Sequence, residues 1–193
     1  MKTISTGEFT ELIINKSKFI SKAFNINSKK EIELILKELK QKYYDATHIC
    51  YAYSFYENHV LFEKFSDDNE PNSTAGKPIL NVIKKQEINN ILVAVVRYFG
   101  GVKLGAGGLV RAYTKSAVMA LQNAEIEELE IYKKFKVKIN YENINTIYNL
   151  SNKNLIKILE NLDDTFVILV KEKEVEAVNI LKNICLEFNE VKE

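Results

Sequence analysis

A chain of 193 residues with 46% hydrophobic and 27% charged content and a net charge of +1 reads as a globular protein of one or two domains, long enough to bury a core. No run approaches the length of a membrane span, and the N-terminus MKTISTGEFTELII lacks the unbroken apolar stretch of a signal peptide. Cys50 and Cys185 stand far apart with no CxxC pairing, which argues against a disulfide framework or zinc site and makes the cytosol the expected compartment.

In chain order, two strands are expected at Glu8–Ile14 and Lys18–Asn25, joined at Asn15-Lys16. Ser28 is placed to cap a helix to about Lys42, with Ile32, Ile35, Leu36 and Leu39 as its apolar stripe. Strands at Thr47–Phe55 and Val60–Phe65 lead into the loop SDDNEPNSTAGKP and a helix from near Pro78 to Glu87. Ile91–Tyr98, ILVAVVRY, is apolar on both alternating faces and reads as a central strand. A helix from Gly107 to Ala124 follows, with Leu109, Tyr113, Ala117, Ala120, Leu121 and Ala124 toward the core and Arg111 and Lys115 on another face.

A boundary is expected near Ile131, giving domains 1–131 and 132–193. The second half reads as strand (Phe135–Tyr141), helix (Ile144–Lys153), strands Leu155–Leu162 and Thr165–Lys171 turning at Asp163-Asp164, helix (Val175–Leu186), and a short last strand through Val191. That order is the ferredoxin-like, split βαβ arrangement. Residues 1–124 hold 17 basic and 12 acidic side chains, a net +5, whereas 125–193 hold 10 and 14, a net −4. A polyanion is expected to prefer the first part.

Function concentrates in RYFGGVKLGAGGLVRAY. Five of the seven glycines fall at Gly100, Gly101, Gly105, Gly107 and Gly108, flanked by the only two arginines, Arg97 and Arg111, and no acid occurs between Glu87 and Glu125. A buried strand, a glycine turn and a helix N-terminus present free backbone N–H groups to an anion, which Arg97, Lys103 and Arg111 would reinforce. Neither standard phosphate-loop spacing is present; the alternative is that the glycines serve tight turns and close packing. Tyr98, Phe99 and Tyr113 are either stacking platforms for bases or core residues.

Before that window lies an acidic loop containing Asp67, Asp68 and Glu70 and ending at Thr74 and Gly76. It either holds Mg²⁺ or, as preferred, forms turn hydrogen bonds and pairs with Arg97 or Arg111. His48 and Cys50 share a strand face side by side, an arrangement of core or rim rather than of a catalytic dyad. His59 reads as a surface loop residue.

The runs KSKFI (16–20), THICYAY (47–53), SDDNEPNSTAGKPIL (66–80) and VVRYFGGVKLGAGGLVRAY (95–113) resemble the YigZ/IMPACT family in content, order and spacing. The resemblance implies an α+β protein of two domains. The first is a two-layer α/β domain like elongation factor G domain IV and GHMP-type kinases; the second is a ferredoxin-like domain like elongation factor G domain V. It carries the motif onto Asp67, Asp68, Glu70, Pro71, Thr74, Gly76, Arg97, Tyr98, Gly100, Gly101, Lys103, Gly105, Gly107, Gly108, Arg111 and Tyr113. Ile49 stands where the family usually has Asn, and Asn69 and Ser73 where it has glycine. Eukaryotic members add an N-terminal RWD domain and act in translational control; this chain resembles the shorter bacterial type. The expected function is therefore RNA or ribosome binding in regulation of translation, with no catalytic residue, cofactor or metal. The alternatives are a small enzyme of a nucleotide or phosphorylated metabolite and a protein-binding adaptor.

Overall fold

The computed structural model describes residues 2–57, 60–128 and 132–191. The chain separates into two compact units, Met1–Leu129 and Glu130–Glu193. Ile131, where the sequence places the boundary, and His59 lie outside the described residues.

In the first unit, β1 (Lys2–Ile4) is followed by β2 (Thr10–Ile14) and β3 (Ser17–Asn25). Asn15 and Lys16 both take positive φ, 46° and 64°, as a two-residue hairpin of matching twist requires. Ser28 accepts from the Glu31 amide and caps α1 (Lys29–Lys42). Then come β4 (His48–Glu57), β5 (Val60–Ser66), α2 (Gly76–Gln86), β6 (Ile91–Tyr98), α3 (Gly105–Gln122) and β7 (Ile126–Glu128).

Five strands form one antiparallel sheet in the order β2-β3-β6-β4-β5, with β6 at its centre. Its alternating sides explain the unbroken apolar run. Val93 and Val95 join Ile79, Ile83, Leu109 and Ala117 of α2 and α3 in the main core. Leu92, Ala94 and Val96 face the other way, in clusters with Ile32 and Leu39 of α1. The two-layer expectation is thereby corrected: helices cover both faces of the sheet, giving three layers, because a central strand apolar on both sides needs cover on both.

The pairing of β1 with β7 is absent from the sequence reading, since three-residue strands carry too little periodicity to show. It ties the start of the unit to the segment after α3.

The second unit contains β8 (Tyr132–Ile139), a 3-10 turn, α4 (Ile144–Asn152), β9 (Ile156–Leu162), β10 (Thr165–Lys171), α5 (Val175–Ile184) and β11 (Cys185–Glu190). The antiparallel sheet runs β11-β8-β10-β9. Phe135, Val137 and Ile139 pack with Ile147 and Leu150 of α4 and Ala177 and Leu181 of α5. Lys134, Lys136 and Lys138 alternate with them along β8, so lysines collect on the sheet face that the helices leave open. Acids share that face: Lys138 reaches Asp164 at 3.6 Å, and Glu187 of β11 pairs beside it. Among the described residues, no helix is long and apolar enough to cross a membrane.

Candidate functional site

Strand β6 ends by placing Arg97 on the same face as Val93 and Val95, and the guanidinium stays inside. Its side chain is only 6% exposed, and its Nη1 donates to Glu70 Oε1 at 2.6 Å. Nη2 reaches Ser17 Oγ at 3.4 Å, and the group lies 5.4 Å from the Phe19 ring centroid and 5.6 Å from that of Phe99. Tyr113, fully buried on α3, donates its hydroxyl to the same Glu70 oxygen at 2.7 Å. Arg97 is therefore committed to an internal ion pair, which corrects its assignment to an external phosphate. Its Nε remains buried without a partner.

The acidic loop is built around its carboxylates. Asp67 accepts from the amides of Ser73, Ala75 and Gly76 at 2.8, 3.0 and 2.8 Å, filling the N-terminus of α2. Asp68 accepts from the Ile49 amide at 2.6 Å, and Thr74 donates to the Pro71 carbonyl at 2.6 Å. A side chain at Gly76 would meet the Ser66 carbonyl at 2.6 Å. The turn-and-pairing alternative describes this loop, with Glu70 rather than either aspartate taking the arginine. Asp67, Asp68 and Glu70 each face a different internal donor, and no metal-binding cluster occurs among the described residues.

The glycine window has the opposite character. Gly100 passes so close to the β2–β3 turn that an added Cβ would fall on the Lys16 carbonyl group, and its amide donates to Ser17 Oγ at 3.1 Å. Gly101 and Gly105 have φ of 82° and 69° in otherwise open space, so their requirement is conformational. Helix α3 then starts with no side-chain cap and no acid in its first turn, and Gly107 is exposed. Lys103, Arg111 and Lys115 are exposed and make no ion pair among the described residues.

Two aromatic assignments are corrected. Tyr98 turns to the α1 side of the sheet and donates to Asp45 at 2.8 Å; Tyr113 is enclosed, its ring edge-on to Phe19 at 5.3 Å. Enclosed Tyr113 cannot stack on a base, and half-buried Tyr98 lies on the opposite face of the sheet from it. Phe99 remains exposed, with its amide bonded to Thr47 Oγ1 at 2.9 Å.

His48 and Cys50 do face the same side, toward the Glu70 cluster, and do not bond to each other. His48 Nδ1 lies 2.7 Å from the Asp68 carbonyl, and its Nε2 lies 3.9 Å from Glu70 Oε1. Cys50 Sγ donates to the Asp67 carbonyl at 3.0 Å and lies 3.4 Å from the Tyr113 hydroxyl. Burial pushes the Cys50 thiol and the Tyr113 phenol far up from their ordinary values. Cys50 is a neutral packing group, unsuited to nucleophilic work.

The sequence pattern of the Impact N-terminal domain matches residues 15–121. IMPACT family member YvyE of Bacillus subtilis (strain 168) is 36% identical over 180 residues, covering 91% of this chain and 82% of that protein. The chain belongs to the IMPACT family. IMPACT family member YigZ of Escherichia coli (strain K12) is 30% identical over 157 residues, covering 81% of this chain and 77% of that one. A crystal structure described as that of a hypothetical protein superposes over 100% of this chain and 97% of its own with a TM-score of 0.69 at 23% identity, a likeness of fold.

The positions departing from the usual IMPACT pattern now have physical settings. Ile49 packs on the α1 face, away from His48. Asn69 and Ser73 adopt φ of 68° and 61°, the left-handed region glycine would favour. Ser17 and His48, which complete the cluster around Glu70, were not marked as site residues by the sequence. Ser17 follows an unremarkable hairpin turn, and the His48 side chain is placed only by the loop folded over it.

Ser73→Gly is expected to raise stability by about 0.5–1 kcal/mol in denaturant titration, since it relieves a left-handed residue without removing the amide bonded to Asp67. Glu70→Gln, which leaves Arg97 buried beside a neutral group, is expected to cost about 3 kcal/mol or more in the same measurement. Cys50 and Tyr113 hold their protons more tightly folded than unfolded. Their contribution is complete below the ordinary values of 9.0 and 10.0 and is lost as pH rises through and beyond them. The melting temperature should therefore fall on the alkaline side, and Cys50→Ala should make the first part of that fall shallower.

Proposed function

We propose that this protein binds RNA or ribosomes in the cytosol and acts in the regulation of translation, with the α3 N-terminal region contacting phosphate. One observation carries the reading: exposed Lys103 beside an uncapped helix start and exposed Arg111 and Lys115 further along the same helix, none ion-paired among the described residues, lie in a stretch without acids. Such a surface offers charge-assisted hydrogen bonds and the positive end of a helix dipole to a polyanion. Phosphate contacts of this kind fix a protein on nucleic acid without reading its sequence.

Family membership supports a role in translation. In this reading residues 1–131 form the phosphate-contacting domain, and residues 132–193 form a ferredoxin-like domain like that of elongation factor G domain V, in keeping with the βαββαβ order and the β11-β8-β10-β9 sheet. Lys134 and Lys136 on the open face of β8 offer the second domain a further contact for phosphate. Arg97 belongs to the scaffold of the site rather than to its contact surface.

The test is co-sedimentation with ribosomal subunits, and filter binding to structured RNA, across a salt series. Wild type is compared with an Arg111→Glu, Lys115→Glu double variant, in which both changed positions are exposed on α3. Binding should weaken as salt rises, and the variant should bind more weakly with a log–log salt slope smaller by about 2. No binding at low salt, or binding indifferent to the double variant, would overturn the proposal.

A further inference from the structure

Beneath the glycine window lies a cavity of about 410 Å³, a volume within the range of small-molecule sites. Its apolar walls come from Pro71, Phe99, Leu104 and Leu109, and its polar groups from Thr47, His48, Glu70, Arg97 and Lys103. Gly105 and Ala106, the first two residues of α3, form part of the wall. Among the described residues no side chain caps that helix start, in contrast to α2, where Asp67 takes the corresponding amides.

Three features of this cavity bear on what it would hold. Arg97 is 5% exposed; its Nη1 donates to Glu70 and its Nη2 to Ser17, and its Nε has no partner among the described residues. A buried donor left unsatisfied costs about 1–3 kcal/mol, and a residue lining this cavity carries an N–H for which the described residues supply no acceptor. His48 is fixed by its bond to the Asp68 carbonyl. A carbonyl oxygen can only accept, so Nδ1 carries a proton, and Nε2 stands on the Glu70 side of the cavity. The charge of Glu70 is offset by Arg97, which leaves Lys103 and the α3 dipole to set the sign of the mouth.

We propose that this cavity binds a phosphomonoester carried on a small hydroxylated body, such as a sugar phosphate or the phosphate-bearing end of a nucleotide. The phosphate sits at the α3 N-terminus beside Lys103, a hydroxyl hydrogen-bonds with His48 Nε2, and the body of the ligand lies against Phe99 and Leu104. The site is separate from the outer face that Arg111 and Lys115 present to internal phosphates of RNA. The two share only the helix start and Lys103.

The experiment is isothermal titration calorimetry of the full chain with AMP, ribose 5-phosphate and adenosine, together with one short RNA oligonucleotide bearing either a 5′-phosphate or a 5′-hydroxyl. Two variants accompany wild type: Lys103→Ala, and Ala106→Phe, which places a ring at the exposed cavity wall without disturbing the core. AMP and ribose 5-phosphate should bind while adenosine does so at least about tenfold more weakly, Lys103→Ala should cost about tenfold, and Ala106→Phe should abolish binding with an unchanged melting temperature. Binding restricted to the 5′-phosphorylated oligonucleotide and lost in Ala106→Phe would assign the same chemistry to a chain end. No binding of any phosphorylated probe at millimolar concentration, or binding unaffected by Ala106→Phe, would overturn the proposal. The Arg111→Glu, Lys115→Glu variant should still bind AMP, so failure of the outer RNA surface and failure of the cavity are distinguishable.

Discussion

The ion pair between Arg97 and Glu70 is the constraint on which the rest of the first unit depends. It joins the last turn inward of the central strand to a loop that precedes α2, and Tyr113 adds α3 to the same carboxylate oxygen. Three segments remote in sequence are thereby fixed at one point. Burying two charges is expensive, and the geometry offsets that cost through a short contact, a second donor and the flanking rings of Phe19 and Phe99. Such a pair contributes less to net stability than to selecting one arrangement of loop, strand and helix, since any alternative would leave a charge unpaired in the interior.

Around that point the unit has two helix starts with opposite treatment. The chain closes α2 with its own Asp67, whose carboxylate takes three amides at once. It leaves α3 open, with Leu104, whose side chain takes no amide, at the cap position and Lys103 beside it. The first arrangement uses helix electrostatics to hold the acidic loop in place; the second leaves the same electrostatics available at the surface. Left-handed residues at Asp68, Asn69 and Ser73 bend the loop so that Glu70 comes to lie beneath the open helix start.

Much of the architecture could be read from residue order. The alternation in FKVKINY and TFVILVK, the apolar stripe behind Ser28 and the unbroken ILVAVVRY each follow from how a strand or helix distributes side chains between water and core. The motif runs were sufficient to indicate the family. Tyr113 shows the limit: its place in the apolar stripe of α3 marked it as core, while its nearness in sequence to the glycines suggested a base platform. Packing against Phe19 decides for the first.

Sequence alone determined the strands, the helices, the acid-free glycine window and the two arginines, because these depend on local periodicity, backbone freedom and composition. Only the tertiary structure decided which arginine meets water. Arg97 and Arg111 are alike as residues, yet Arg97 ends a central strand under a folded loop and acquires a buried carboxylate, whereas Arg111 lies on the outer face of a helix. The same holds for the third layer, the β1–β7 pair and the cavity over His48. Each arises where segments distant in the chain come together, and no local pattern encodes the neighbour that a side chain will find there.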